Sequence, residues 1–445
     1  MYALCSSEQR THSSTERVFH IFPILIINVT PASNIMASIG SESWIGPGNY
    51  EEGGRFHTIV EELVKSVNWD ALLVIASRLR DGTSCKLSGK YSCGHFNVVR
   101  KLEFSDGVDW IARVRLPLLE GMSEEREALG AEKSMEVEIA TMKYLKKRTS
   151  IPVPEVYSHS LSAESEVGAP FMLMSYIHGS TAAELRDAKG CEWPLMGTSE
   201  QTERFWQRMA EIQVELASCH FSSIGSLHRE GEAFSIGPEV ITGKGPWSTP
   251  DEYYQDVATH AVESAKTSPS ASELQQRDSF NLPRLFPELM KLQSKPNQKH
   301  FHLVNRDFGI HNVLVNDNFE IVGVIDLDGV IAAPIEMVAQ FPVLSGLHRP
   351  SPGFEKWEKR PAALSWMTEA ASTLGRYVER ILHAAHRQAP AVGEVAGWMM
   401  SNAAYIVQGL EAYQQHNADI NDRWMGVFEG LLEEAVLQEN HANVK

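Results

Sequence analysis

Asp307 is followed five positions later by Asn312, then by the apolar run Val313-Leu314-Val315, the turn formers Asn316-Asp317-Asn318, an alternating run from Phe319 to Ile325, and Asp326. Turn chemistry between two such runs predicts a hairpin. A hairpin brings the residue before its first strand, Asn312, beside the residue after its second, Asp326. Side chains of these types suit phosphoryl transfer, in which the protein does little covalent work and catalyses mainly by positioning and by stabilising charge. A carboxylate at Asp307 would orient an acceptor hydroxyl and take its proton. Hard oxygen donors at Asn312 and Asp326 suit Mg²⁺, which takes one or two protein side chains and completes its shell with water and phosphate oxygens. An isolated Asp-x-x-x-x-Asn carries little weight, because both residues are common in loops, and an Asp after a strand is often a cap or turn former. The order of all three residues around one hairpin carries the inference.

Upstream elements must hold this hairpin in place. Phe96 to Leu102, the turn Ser105-Asp106-Gly107 and Asp109 to Leu116 read as a second hairpin, since Asp-Gly suits a tight turn. Ser88 to Asn97 contains Gly89 and Gly94 between strand-like runs. Met135, Ile139, Met142 and Leu145 recur at helical spacing within Glu132 to Arg148, and Ile151-Pro152-Val153-Pro154 ends that helix. Phe171 to Tyr176 reads as a buried strand broken by Ile177-His178-Gly179. Amphipathic helices are expected over Phe56 to Val67 and Asp70 to Leu79, ahead of the strands. Phe205, Met209, Ile212 and Leu216 form the core stripe of a helix that Ser199 would cap. Residues 225–285, with Gly, Pro and the Ser-rich patch Thr267 to Ser272, read as an insertion with a mobile loop. From Ala363 onward the pattern is helical, and Trp398, Met399, Met400 and Tyr405 read as packing residues in preference to a substrate pocket.

A chain of 445 residues buries a large core, and 43% hydrophobic with 22% charged residues is the balance of a soluble globular protein. A formal net charge of −17 repels phosphate backbones and argues against a nucleic-acid partner. Cys5, Cys85, Cys93, Cys191 and Cys219 show no metal-ligand spacing, and their odd number argues for free thiols in a reducing compartment. No stretch is long enough to span a membrane. Val18 to Val29 has the apolar length of a signal-peptide core, but Glu8 and Glu16 flank it and Pro23 interrupts it. Met36 opens a second plausible start, so residues 1–35 are expected to be a poorly ordered extension or a gene-model artefact.

On these residues the sequence resembles the aminoglycoside phosphotransferase family, and most closely its fungal-type small-molecule kinase-like members. The family pattern, His-x-Asp-x-x-x-x-Asn then apolar-Asp-x-acidic, stands here as Asn305-Arg306-Asp307, Asn312 and Ile325-Asp326-Leu327-Asp328. Asn305 replaces the usual His. The resemblance implies an α+β, two-lobed protein-kinase-like fold, with a small sheet-rich N-lobe and a larger, mainly helical C-lobe. It divides the chain into a disordered extension over 1–50, an N-lobe with its preceding helices over 51–177, and a C-lobe carrying the catalytic hairpin over 178–445. It further implies ATP and Mg²⁺ as cofactors and a cytoplasmic enzyme that phosphorylates a small-molecule hydroxyl, with neither nucleic acid nor membrane as partner.

The resemblance also implies individual roles. Asp307 is the catalytic base, Asn312 and Asp326 hold the metal, and Asp328 supports the metal site or the acceptor. Arg113 stands where the family places a phosphate-binding Lys, with Glu138 pairing it and Glu136 as the competitor. Ser92 and Gly94 lie in the loop over the phosphates, and Ser175 and Ile177 in the interlobe hinge that receives adenine. A nucleotide-binding pseudokinase or scaffold with little turnover is the alternative, motivated by Asn305, Arg113 and a loop lacking G-x-G-x-x-G. A protein kinase fits poorly, because no D-F-G follows Val324 and Ala332-Ala333-Pro334-Ile335-Glu336 comes too soon for a long activation loop. The acceptor itself is open.

Overall fold

The computed structural model describes residues 40–48, 50–117, 128–352 and 361–443. The signal-like run, Cys5, the second start at Met36 and most of the extension expected over 1–50 lie outside the described residues. The last part of that extension is held in place. Gly46 bridges Ser92 of the first strand, and the Cys93 thiol donates to the Gly46 carbonyl.

The N-terminal sheet is antiparallel in the order β1-β2-β3-β5-β4, with β1 Cys85–Cys93, β2 Asn97–Phe104, β3 Asp109–Arg115, β4 Val156–Ser160 and β5 Phe171–Ser175. Successive β3 side chains point to opposite faces. Trp110, Ala112 and Val114 meet α1 (Arg55–Ser66) and α2 (Trp69–Arg78) through Val60, Leu63, Leu72 and Ala76. Ile111 lies on the other face, with Met172 and Met174 of β5, against Met135, Ile139, Met142 and Leu145 of α3 (Ala131–Arg148). Arg113 shares the Ile111 face, so the sheet points this cation toward α3.

The larger lobe carries its own antiparallel sheet, β7-β10-β13-β8-β9, built from β7 His220–Phe221, β8 Gly225–Glu230, β9 Ala233–Gly237, β10 Phe301–Asn305 and β13 Val330–Ala333. A three-stranded sheet joins β6 Ser180–Thr181 to β11 Val313–Val315 and β12 Ile321–Val324. Helices α4 (Ala182–Ala188), α5 (Ser199–Ser218) and α6 (Pro250–Thr267) are followed by helices at Leu282–Gln293, Pro361–Gln388, Asn402–Tyr413 and Ala418–Asn443. Phe286, Phe301, Tyr377 and Trp424 are fully buried among them.

Three sequence expectations are corrected. Thr198, and not Ser199, caps α5, because its side chain accepts from Gln201 N–H while Gln201 reaches back to the Thr198 N–H. Residues 225–285, read as an insertion with a mobile loop, hold more regular structure than their Gly, Pro and Ser content suggested: β8 and β9 extend the C-lobe sheet, and α6 buries Tyr253, Tyr254, Val257, Ala258 and Ala261. Pro250, which reads as a loop former, is the first residue of α6, where a missing N–H costs nothing. Of the apolar group at 398–405, Met399 is core, whereas Met400 is half-exposed at 50%.

Among the described residues no helix is long and apolar enough to cross a membrane, and Cys85, Cys93, Cys191 and Cys219 are free. Met142→Ala, which empties space between α3 and the sheet, is expected to destabilise the fold by about 2–5 kcal/mol in urea unfolding.

Candidate functional site

β10 ends at Asn305, whose ladder partner is Val330 of β13, so both ends of the segment 305–330 are fixed to one sheet. Within it Asn305 is a bracket. Its Oδ1 accepts from the Asp307 N–H at 3.0 Å, and its Nδ2 donates to the Asp326 carbonyl at 3.4 Å. With 4% of its surface exposed, this amide has little water to compete with those bonds. It thus ties the two residues that the sequence places at opposite ends of the hairpin. Arg306 turns away and pairs with the fully buried Glu239 at 2.7 Å, while its N–H donates to the Gly329 carbonyl.

The Asp307 carboxylate is held on both oxygens. Oδ2 accepts from Asn312 Nδ2 at 2.9 Å, and Oδ1 lies 3.0 Å from His311 Nε2. The same Asn312 nitrogen donates to the Asp307 carbonyl, which orients the amide and leaves its oxygen as a hard donor. Gly309 makes this tight loop possible. A Cβ there would sit 2.1 Å from the Val343 carbonyl and 2.8 Å from the His311 ring. Sequence reading missed His311, whose position four residues after Asp307 is the one signal for it; a lone histidine beside apolar residues reads equally well as core.

The hairpin forms as expected, with Val313 opposite Val324, and the Ile325 N–H donates to the Asn312 carbonyl. Asn316 Oδ1 accepts from the N–H groups of Asn318 and Glu320, which closes the turn. Asp326 follows with φ of +59°, a left-handed conformation that Asp tolerates better than most residues. Such backbone strain concentrates at functional sites. The linker after α3 reaches this hairpin, where the Val324 N–H donates to the Pro152 carbonyl.

Arg113 enters from the other lobe. Its Nη1 donates to Glu138 and its Nη2 to Asp326 Oδ1 at 3.0 Å. Glu138 is thereby the partner, while Glu136 faces solvent and pairs with Lys133. Asn97, also unforeseen, stands on β2 next to β3, and the amide orientation that satisfies both groups turns its oxygen to the guanidinium, 2.9 Å from Nε and 2.7 Å from Nη2. Charges of both signs crowd here. Burial alone would lower the Arg113 pKa, but Glu138, Asp326 and Asp328 outweigh it and raise it. Burial pushes the Glu138 carboxyl up, and Arg113 offsets this only in part. Burial and the like charges of Asp326 and Glu138 push Asp328 well above the usual carboxylate range.

Ser92 of β1 faces Val99 of β2, which in turn faces Arg113 of β3, so Ser92 and Arg113 share one face of the sheet. Gly94 sits at the β1–β2 turn, its N–H donating to the Asn97 carbonyl, with open space where a Cβ would project. The Ser175 N–H is committed to the Glu155 carbonyl, and its hydroxyl accepts from Glu155 N–H. Ile177 packs against β12, where a Cβ on Gly323 would lie 2.8 Å from it.

The donor types fit Mg²⁺: a carboxylate at Asp326, 39% exposed, and an amide oxygen at Asn312. Among the described residues no group of three or more His, Cys, Asp and Glu side chains is placed to hold a metal.

Residues 99–335, a little over half of the chain, match the model of a family described as the phosphotransferase enzyme family. A subtelomeric hrmA-associated cluster protein of Aspergillus fumigatus is 28% identical over 165 residues, 35% of this chain and 29% of that protein. The mitochondrial "altered inheritance of mitochondria protein 9" of Candida tropicalis is 29% identical over 140 residues, 30% of this chain and 20% of that protein. The chain therefore matches less than a third of the length of either relative. An aminoglycoside phosphotransferase, APH(4)-Ia, superposes with a TM-score of 0.42 at 15% identity, covering 83% of this chain and 98% of that one.

Asn305→Ala removes the acceptor of a buried N–H, and we expect a loss of about 1–3 kcal/mol in urea unfolding. Asn305→His, which restores a polar side chain at this position, is expected to recover part of it.

Proposed function

The chain belongs to the phosphotransferase enzyme family, and we propose that it transfers the γ-phosphate of ATP to a hydroxyl of a small molecule. The observation that carries this reading is the bracket by Asn305, which joins Asp307 and Asp326 through one buried side chain while Arg113 reaches Asp326 from the opposite lobe. On this reading a base, a metal-binding carboxylate and a phosphate-directed cation would act side by side.

In this reading Asp307 accepts the proton of the acceptor hydroxyl. Asn312 and His311 hold its carboxylate in one orientation, so no rotamer search is needed when the acceptor arrives. Asn312 Oδ1 and the Asp326 carboxylate would hold Mg²⁺, which when bound neutralises charge on the phosphates. Arg113, positioned by Glu138, faces the phosphates. Ser92 and Gly94 border them, with Gly94 leaving the backbone open to approach. At the hinge, Ser175 has its N–H engaged, and adenine would sit against the backbone near Ser175 and Ile177. Asp328 faces the same carboxylate cluster and supports the metal side of the site. The net charge of −17 disfavours nucleic acid as a partner, and the free thiols of Cys85, Cys93, Cys191 and Cys219 suit a reducing, cytoplasmic setting.

A nucleotide-binding scaffold is favoured by one observation, the engagement of the Arg113 guanidinium by protein acceptors on Nε, Nη1 and Nη2. Turnover separates the two. ADP release from Mg²⁺–ATP, with or without an acceptor panel, should fall on the order of 10²–10⁴-fold in Asp307→Asn, the usual size of a general-base contribution. Thermal stabilisation by saturating Mg²⁺–ATP should persist in that variant. Stabilisation without any Asp307-dependent turnover would favour the scaffold.

A further inference from the structure

Resting on the phosphotransferase reading, we propose that Arg113 is a resident counter-ion that makes nucleotide binding and metal binding depend on each other. Its guanidinium bonds the same carboxylate, Asp326, that would hold the cation. Phosphate gains the Nη2 donor of Arg113, and a cation gains Asp326 Oδ1, when that bond opens.

The geometry shows where the exchange happens. Nε and Nη2 face the Asn97 amide oxygen, Nη1 is bound to Glu138, and Nη2 is also bound to Asp326. Asn97 is 5% exposed and the Glu138 side chain 2%, whereas the Asp326 side chain is 39% exposed. Asp326 is therefore the partner that an incoming phosphate can reach and displace. A lysine would present a swivelling point charge that shares itself among acceptors. The planar fork of an arginine fixes which acceptor faces which N–H.

Each half of the exchange is unfavourable alone. Pulling Arg113 from Asp326 leaves that carboxylate without its bonded cation, while Glu138, held by the same guanidinium, stays close by. Adding a cation to Asp326 while Arg113 stays crowds two positive groups on one carboxylate. Phosphate bound to Arg113 and a cation bound to Asp326 and Asn312 relieve both problems together. By linkage, each ligand then raises the affinity of the other by the same factor.

The test is ATP affinity by calorimetry on the full chain, in EDTA and in excess Mg²⁺, for wild type, Asp326→Asn, Arg113→Met and the double variant. Asp307→Asn controls for loss of a nearby negative charge. The proposal predicts that Asp326→Asn, which frees the guanidinium, tightens metal-free ATP binding roughly tenfold. That gain should vanish in the Arg113→Met background and exceed the gain in Asp307→Asn. If Arg113→Met fails to fold, Arg113→Lys takes its place, with the gain expected to shrink below about threefold. Unchanged metal-free affinity in Asp326→Asn overturns the proposal, as does an equal gain with and without Arg113. No ATP binding by wild type in either condition overturns the phosphotransferase reading itself, and this inference with it.

Discussion

Like charges have to converge at this site, and one cation makes that possible. Glu138 comes from α3, Asp326 and Asp328 from beyond the β11–β12 hairpin, and Arg113 from the middle of the N-lobe sheet. Stripping water from carboxylates is costly unless a partner compensates. The sheet therefore has to deliver Arg113 to a single point, and its register does so: Val99 and Met172 flank Arg113 on either side and pack inward beneath it. The packing of α3 on that face decides which of two neighbouring glutamates meets the cation.

The second constraint is local. Asp326 sits in a left-handed conformation, and Asp307 lies in a loop that Gly309 alone can accommodate. Neither geometry is favourable for a free chain. Asn305 bonds both segments, β10 and β13 anchor their ends, and Glu239 holds Arg306 from behind. Strain at the site is thus borne by a network of part-buried hydrogen bonds centred on the buried Asn305.

Much of this was legible in the sequence because it is local. The hairpin announces itself through Asn316-Asp317-Asn318, and the stripe of Met135, Ile139 and Met142 marks α3 and its core face, while Glu138 came from the resemblance, with Glu136 as competitor. The family resemblance supplied the rest of the frame, including Arg113. What escaped notice depends on contacts between distant residues. Glu239 meets Arg306 across the fold, Asn97 meets Arg113 across a strand, and neither pairing has a short-range signature. His311 looked like any buried histidine. The segment 225–285 misled because Pro and Ser serve both loops and helix starts; Thr249-Pro250-Asp251-Glu252 is a capping box with Pro at the first position, a pattern that periodicity in α6 would have completed.

The most direct measurement follows an isotope-labelled γ-phosphate from Mg²⁺–ATP into a panel of sugars, polyols, amino alcohols and hydroxylated natural products, read by mass spectrometry. The account predicts a labelled phosphomonoester formed by wild type and lost in Asp307→Asn. Label that stays in ATP across the panel while the nucleotide binds, or equal labelling by Asp307→Asn, would contradict it.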